Sequence, residues 1–255
     1  MSPSAPLVLI APAMAIGSSY YRPLVEDFQR RGWQARALPR RGFERGLPRA
    51  SRQHDWSYAD EIDDIAEAVV QARTEDRDRP VLLLGHSLGA QLAAGHELSR
   101  EPVDGVITVG GALPFHRHYP LGGLPLVVMA TVVVPALTTA FGHLPKPAFG
   151  GPGARTLMRE WARMAVSGQL PFPADRLIET PSLIISLGGD RLAPAAAVDG
   201  FARRLFAPEQ VTRWEYDDVL PGNSNDHVTW VRGSSQIVDR VTAWWAPADV
   251  VTGAP

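Results

Sequence analysis

The 255-residue sequence contains no cysteine, which excludes disulfide bonds, thiolate metal sites and a cysteine nucleophile. It also lacks an excess of either charge, because 25 Lys and Arg residues face 27 Asp and Glu residues and no basic block is present. The electrostatic pattern of a nucleic-acid-binding protein is therefore missing, and we expect a small-molecule substrate. His116 and His118 form a His-x-His pair without a carboxylate or a third ligand beside them, so we expect neither a metal nor another cofactor.

The N-terminal segment lacks the positive charge that begins a secretory signal. Its apolar block is only four residues long and is followed by Pro12, whereas a signal needs about 7–15 apolar residues. We therefore expect a buried first strand and a cytoplasmic protein.

A second apolar run, residues 121–141, contains no charged residue and is long enough to span a bilayer. Its two glycines and two prolines favour a buried helix in an apolar cap over stable membrane insertion. A membrane-facing surface is the alternative interpretation.

Short aliphatic runs alternate with amphipathic stretches, a pattern typical of a parallel sheet with helices on both faces. The pattern predicts strands over residues 7–11, 34–38, 81–85, 103–109, 182–187 and 211–216. It predicts helices over residues 19–31, 58–74, 88–99, 195–206 and 234–245. We expect one domain, residues 1–255, with a partly helical cap over residues 112–175 inserted between the fourth and fifth strands.

The third predicted strand runs directly into the motif Gly85-His86-Ser87-Leu88-Gly89, which a helix of small residues follows. This order of strand, serine and helix is typical of a nucleophile elbow, in which glycines two residues either side of the serine avoid steric collision. The elbow would lift the Ser87 hydroxyl above the sheet and leave the Leu88 amide at a helix N-terminus, free to donate to an oxyanion.

A serine nucleophile needs a base and an acid that orients the base. In folds with a nucleophile elbow, the three residues follow one another along the chain in the order Ser, acid, His. Asp190 lies just past the fifth predicted strand, at the sheet edge where sites assemble. His227 lies between the last strand and the last helix and has the right position for the base. The alternatives are a turn residue for Asp190 and a water-exposed loop residue for His227.

These residues and motifs resemble the α/β-hydrolase superfamily, in particular bacterial predicted serine hydrolases of the serine aminopeptidase-like or lysophospholipase-like branch. The resemblance runs in order through "LIAPAMAIGSSYYRPLVEDFQRRGW", "LPRRGFERG", "GHSLGAQLAAG" and "GGDRLAP" and covers nearly the whole chain. It implies an α/β-hydrolase fold of about six strands, a triad of Ser87, Asp190 and His227, and an oxyanion hole formed by the backbone amides of Met14 and Leu88. Two small departures, Ala15 and Ala90 in place of glycines common in the family, lie next to this site.

The residues point to a serine hydrolase that cleaves an ester or thioester through an acyl-enzyme. The alternative is a non-hydrolytic enzyme on the same fold, such as an acyltransferase, cyclase or lyase, because one fold supports many chemistries. A non-catalytic binding module ranks last. The apolar cap suggests an apolar substrate, and the candidate substrate contacts are Ala15, His86, Met129, Val133, Phe141 and Trp161.

Overall fold

A six-stranded parallel sheet organises the computed structural model, which describes residues 5–246. The strands are β1 (Leu7–Ala11), β2 (Gln34–Ala37), β3 (Val81–His86), β4 (Gly105–Val109), β5 (Ser182–Leu187) and β6 (Val211–Tyr216). They lie in the order β2-β1-β3-β4-β5-β6, and every neighbouring pair is parallel. The predicted six-stranded α/β-hydrolase architecture is therefore confirmed.

Eight helices with regular α geometry connect or follow the strands within the described residues. They are α1 (Arg22–Arg30), α2 (Tyr58–Glu75), α3 (Leu88–Ser99), α4 (Leu124–Val128), α5 (Val134–Phe141), α6 (Arg155–Ser167), α7 (Ala195–Leu205) and α8 (Ser235–Trp245). The first helix starts later than predicted because Ser18–Tyr21 forms a 3₁₀ turn, and α1 begins with a proline in its first turn. Proline suits that position because the first amides of a helix have no partner within it.

The fourth strand also begins later than predicted, at Gly105 rather than at residue 103. The amide of Val103 donates instead to the carboxylate of Glu97 at 3.0 Å. Asp104 accepts from the amide of Val81 at 2.8 Å. These side-chain bonds use the polar groups that would otherwise extend the ladder.

The sheet separates two apolar layers, because successive side chains of a strand point to opposite faces. Leu7 and Leu9 of β1 pack in the layer that contains α2 and α3. Val8 and Ile10 pack in the other layer, with α1 and α8. The alternation therefore packs helices on both faces of the sheet. The carboxyl ends of the strands form an edge that these helices leave open.

Residues 112–175, which we call the insertion, leave the sheet after β4. Their longest element is the run of α4, one π-helical turn (Met129–Val133) and α5, which we call the insertion helix. A short antiparallel ladder between His143–Leu144 and Gly153–Ala154 leads from it into α6.

The prediction that the second apolar run is a buried helix is wrong. In residues 5–246, Pro120–Phe141 is the one helical run long and apolar enough to cross a membrane, and only 17% of its most apolar 18-residue window is buried. Ala130, Val134 and Thr138 are its buried side chains. The helix packs inward on α6 and leaves its outer face open.

Candidate active site

The turn between β3 and α3 holds Ser87 in a strained backbone conformation, with φ 55° and ψ −116°. Such a conformation persists only where the surroundings enforce it. A Cβ on Gly85 would lie 2.5 Å from the Cα of Ala90, and one on Gly89 would lie 2.0 Å from the carbonyl oxygen of Ala11. Both glycines are therefore required by close backbone packing, as the elbow motif predicted.

The structure brings Ser87, His227 and Asp190 together, although they are 140 and 37 residues apart in sequence. His227 Nε2 lies 2.8 Å from Ser87 Oγ, and His227 Nδ1 lies 2.6 Å from Asp190 Oδ2. The other carboxylate oxygen, Oδ1, accepts from the amides of Leu192 and Ala193, each at 2.8 Å. The carboxylate thus receives Nδ1–H, which leaves Nε2 as the acceptor that faces the serine hydroxyl.

Met14 and Leu88 line the same cavity as Ser87. Leu88 is the first residue of α3, where amides have no partner within the helix, and Met14 lies in the loop after β1. Neither amide donates a hydrogen bond to any atom of residues 5–246. Both are therefore free to donate to an oxygen bound beside Ser87.

The peptide group between Pro12 and Ala13, one residue before the Met14 amide, is held from both sides. The Pro12 carbonyl accepts from Arg40 Nη1 at 3.1 Å, and the Ala13 amide donates to the hydroxyl oxygen of Tyr21 at 2.8 Å. Arg40 is buried, and its Nη2 lies 2.8 Å from a carboxylate oxygen of Glu61, also buried. This arrangement fixes the loop that presents the Met14 amide.

His86 lies beneath the site and lines no part of the cavity, so its predicted role as a substrate contact is wrong. It is fully buried, and burial lowers the pKa of its imidazole to about 3. Its Nε2 lies 2.7 Å from the backbone carbonyl of His227, which can only accept, and 3.2 Å from the indole nitrogen of Trp230. The shorter contact makes Nε2 the protonated nitrogen, so Tyr21 donates its hydroxyl proton to Nδ1 at 2.7 Å.

Tyr21 and His86 therefore connect the loop of Met14 to the loop of His227. The chain of donors runs from the Ala13 amide through Tyr21 and His86 to the His227 carbonyl. Burial also raises the pKa of the Tyr21 hydroxyl, so it stays protonated. Sequence reasoning missed this role, because nothing near Tyr21 in the sequence marks it.

Asp226 fixes the backbone of the His227 loop. Its carboxylate accepts from the amides of Val228 at 2.9 Å and Thr229 at 2.8 Å and from the hydroxyl of Ser224. Burial alone would raise the pKa of Asp226. The hydrogen bonds outweigh burial and hold this pKa well below its usual range. The carboxylate therefore stays ionised and keeps its bonds.

Gly110, directly after β4, is a further residue that sequence reasoning missed. Its φ is +58°, and a Cβ there would lie 3.0 Å from Asp190 Oδ2 and 3.4 Å from His227 Nδ1. Only glycine leaves room for this hydrogen bond. Two consecutive glycines at the carboxyl end of a strand were the available signal.

A cavity of about 700 Å³ opens beside Ser87 and His227. Three of the predicted substrate contacts line it: Ala15, Met129 and Trp161. Val133 and Phe141 do not. Phe141 ends the insertion helix on its outer surface, with 52% of its area exposed, while Val133 falls in the π-helical turn away from the lining.

Most polar groups at the cavity wall already make hydrogen bonds within the protein. Gln91 accepts from the Tyr58 hydroxyl at 2.7 Å and donates to the Ala112 carbonyl at 2.8 Å. Within the described part of the chain no Asp or Glu lines the cavity, and Arg191 is the one Lys or Arg that does. No group of three or more His, Asp or Glu side chains in these residues could hold a metal ion. The cavity is suited to an apolar ligand.

The parallel sheet, the strand–serine–helix turn and the position of the insertion make the chain an α/β-hydrolase. A family model described as serine aminopeptidase, S33, matches residues 2–159, which is more than half of the chain. The chain belongs to this family.

Solved structures of low sequence identity share the fold. A metagenome-derived lipolytic enzyme is 18% identical with a TM-score of 0.62, over 95% of this chain and 94% of that one. A monoglyceride lipase from Saccharomyces cerevisiae is 13% identical with a TM-score of 0.65, over 94% and 88%. The thioesterase domain from the curacin biosynthetic pathway is 16% identical with a TM-score of 0.59, over 94% and 92%. No curated protein sequence matches the chain significantly.

Proposed function

We propose that the protein is a serine hydrolase that cleaves an ester or thioester of a small, largely apolar substrate through an acyl-enzyme on Ser87. The observation that carries this proposal is the hydrogen-bonded chain from Ser87 Oγ through His227 to Asp190, which opens on an apolar cavity. A hydroxyl beside an oriented imidazole is the arrangement that activates a serine nucleophile.

In the first half of the reaction, His227 Nε2 takes the proton of Ser87 as Oγ attacks the carbonyl carbon of the substrate. The carbonyl oxygen becomes an oxyanion, which accepts from the amides of Met14 and Leu88. Asp190 keeps Nδ1 protonated and stabilises the imidazolium. As the tetrahedral intermediate breaks down, the bond to the alcohol or thiol breaks, and His227 returns its proton to that leaving group.

In the second half, a water molecule gives a proton to His227 and attacks the acyl-enzyme through the same oxyanion site. The Ser87–acyl bond breaks, His227 returns the proton to Ser87 Oγ, and the carboxylic acid leaves. A competing alcohol in place of water would give acyl transfer. If the reaction in the presence of such an alcohol gave more ester than acid, the result would favour the alternative, an acyltransferase.

The charge of the cavity supports an ester or thioester over the amide of a free amino terminus. A substrate ammonium group needs a carboxylate to pair with, whereas the cavity wall carries Arg191 and, within residues 5–246, no Asp or Glu. The lipase and thioesterase names of the structural neighbours agree with this choice.

We propose that the insertion is the cap of a single domain, residues 1–255. Its residues Leu126, Met129 and Trp161 line the cavity opposite the sheet. A cap of this kind excludes water from the acyl-enzyme and covers the apolar part of the substrate.

The first test is the labelling of the protein by a fluorophosphonate, read by mass spectrometry of the modified peptide. We expect one adduct, on Ser87. Ser87→Ala should abolish labelling and lower turnover at least roughly 10³-fold, with an unchanged melting temperature, because the fold does not need the hydroxyl.

Ser99→Ala, at the other end of α3, is the matched control and should keep full activity. Substrates should be a panel of aryl esters, acyl thioesters and aminoacyl anilides. Unchanged turnover of Ser87→Ala on the best of them would contradict the acyl-enzyme mechanism.

A further inference from the structure

The outer face of the insertion helix is an exposed apolar stripe. Leu124, Val128 and Val132 recur every four residues and are 64%, 45% and 58% exposed. Leu121, in the turn before the helix, is 96% exposed. Helices that are apolar all round normally occur where something covers both faces, and patches of this kind mark interaction surfaces.

The stripe and part of the cavity wall belong to the same helix. Leu126 and Met129, on the inner side of the same helix, line the cavity. Leu192 also lines the cavity and is 64% exposed. The stripe therefore lies on the outer side of a helix whose inner side forms part of the cavity wall.

The charges around the stripe are mostly positive. The insertion carries five Lys or Arg residues and two Asp or Glu residues, although acids slightly outnumber bases in the whole chain. No charged residue occurs between Arg117 and Lys146. Arg52 and Arg159 lie at the end of the helix, where Arg52 Nη2 donates to the Ala140 carbonyl at 2.7 Å and Arg159 Nη2 to the Thr139 hydroxyl at 2.9 Å.

We propose that this stripe, with its basic flanks, docks the protein on the surface of an anionic lipid bilayer. An apolar face bordered by cations is the composition that binds such a surface. A second copy of the chain fits less well, because it would bring the same basic flanks together. The inner face packs on α6 and the cavity, so the helix lies on the bilayer and does not span it.

The inference extends the proposed function, because docking would place the cavity mouth at a store of apolar esters. Its test does not depend on catalysis. We would measure co-sedimentation with vesicles of phosphatidylcholine plus phosphatidylglycerol, and with vesicles of phosphatidylcholine alone. The wild type should bind the anionic vesicles more tightly, and added salt should weaken that binding.

A triple variant, Leu124→Ser with Val128→Ser and Val132→Ser, should weaken binding at least about tenfold, because it removes the apolar contact. None of the three residues lines the cavity, so turnover of a short, water-soluble ester should not change. Val70→Ser is the matched control, because Val70 is 63% exposed on α2, outside the insertion, and should leave binding unchanged.

Arg117→Gln should weaken binding to anionic vesicles about fivefold, because one cation near such a surface contributes on that scale. Arg77→Gln, an exposed arginine in the loop after α2, should have no effect. Equal vesicle binding of the wild type and the triple variant would overturn the proposal. So would a lipid-free dimer, seen by sedimentation velocity, that the triple variant abolishes, because the stripe would then be a self-interface.

Discussion

Two apolar helices contribute residues to the cavity wall, but they are packed in opposite ways. In α3, every residue from Leu88 to Leu98 is buried, because the helix packs between the sheet and α2. In the insertion helix, by contrast, three side chains are buried and the outer face is open. The comparison shows that an apolar sequence does not by itself determine how many faces of a helix are packed, because that number depends on what surrounds the helix.

The two sides of the cavity also differ in how they hold their shape. On the sheet side, buried or partly buried hydrogen bonds through Arg40, Tyr21, His86 and Asp226 fix the loops around Ser87. On the insertion side, the cavity wall is made of apolar contacts. We therefore expect substitutions on the sheet side to act on turnover or on folding, and substitutions in the insertion to act on binding.

The largest effect on the sheet side, after loss of Ser87 itself, should come from Asp190→Asn. The asparagine would stabilise the wrong imidazole tautomer, and we expect turnover to fall about 10⁴-fold. Asp218→Asn is the matched control, because Asp218 is close to His227 in sequence but exposed. A crippling effect of Asp218→Asn together with a mild effect of Asp190→Asn in the same assay would refute the assignment of the acid.

The next effect should come from the amide of Met14. Met14→Pro removes this donor, and the loss of one oxyanion donor typically lowers turnover about 10²- to 10³-fold. Met14→Ala keeps the amide and should cost little beyond packing. Thermal melts must accompany the kinetics, because proline also restricts Ala13. An equal loss in both variants would mean that the Met14 side chain, rather than its amide, matters.

A third prediction concerns stability and pH. Burial lowers the pKa of His96, on α3, to about 4, so the native protein keeps this imidazole neutral while the unfolded chain protonates it below about pH 6.5. Protonation of the unfolded state destabilises the native state as the pH falls from about 6.5 to 4.

His96→Leu removes this proton uptake. Relative to wild type, its free energy of unfolding should rise by about 2 kcal/mol between pH 7 and pH 5, whatever the cost of the substitution at pH 7. Urea unfolding at both pH values measures this difference. If the two proteins respond to pH in parallel, His96 is not held neutral.

The smallest effect should come from Ala15, whose φ of 62° is costly for a residue with a Cβ. Ala15→Gly should stabilise the fold by up to about 1 kcal/mol, the strain relief being partly offset by the entropy of glycine in the unfolded chain. Ala136→Gly, in the regular part of the insertion helix, should have the opposite sign and a similar size. Urea midpoints compare the two, and destabilisation by both would show that Ala15 is not strained.

The strands, the elbow and the order of Ser87, Asp190 and His227 could be predicted because their signals are local. Aliphatic runs mark strands, closely spaced glycines mark the elbow, and the carboxyl ends of parallel strands meet at one edge. The same local signals placed Ala15, Met129 and Trp161 near the cavity. They misplaced His86, Val133 and Phe141, because apolar character or closeness in sequence to the serine does not give the direction of a side chain.

The sequence by itself determined the periodicity of the elements, the strained turn at Ser87 and the layers of the sheet, since these follow from steric limits and hydrophobic patterns over a few residues. Only the tertiary structure decided that Tyr21 and Arg40 hold the peptide before Met14, that Gly110 leaves room for Asp190 and His227, and that the insertion helix faces outward. Hydrogen bonds and packing act over a few ångströms in space, and residues distant in sequence come within that range only when the chain has folded.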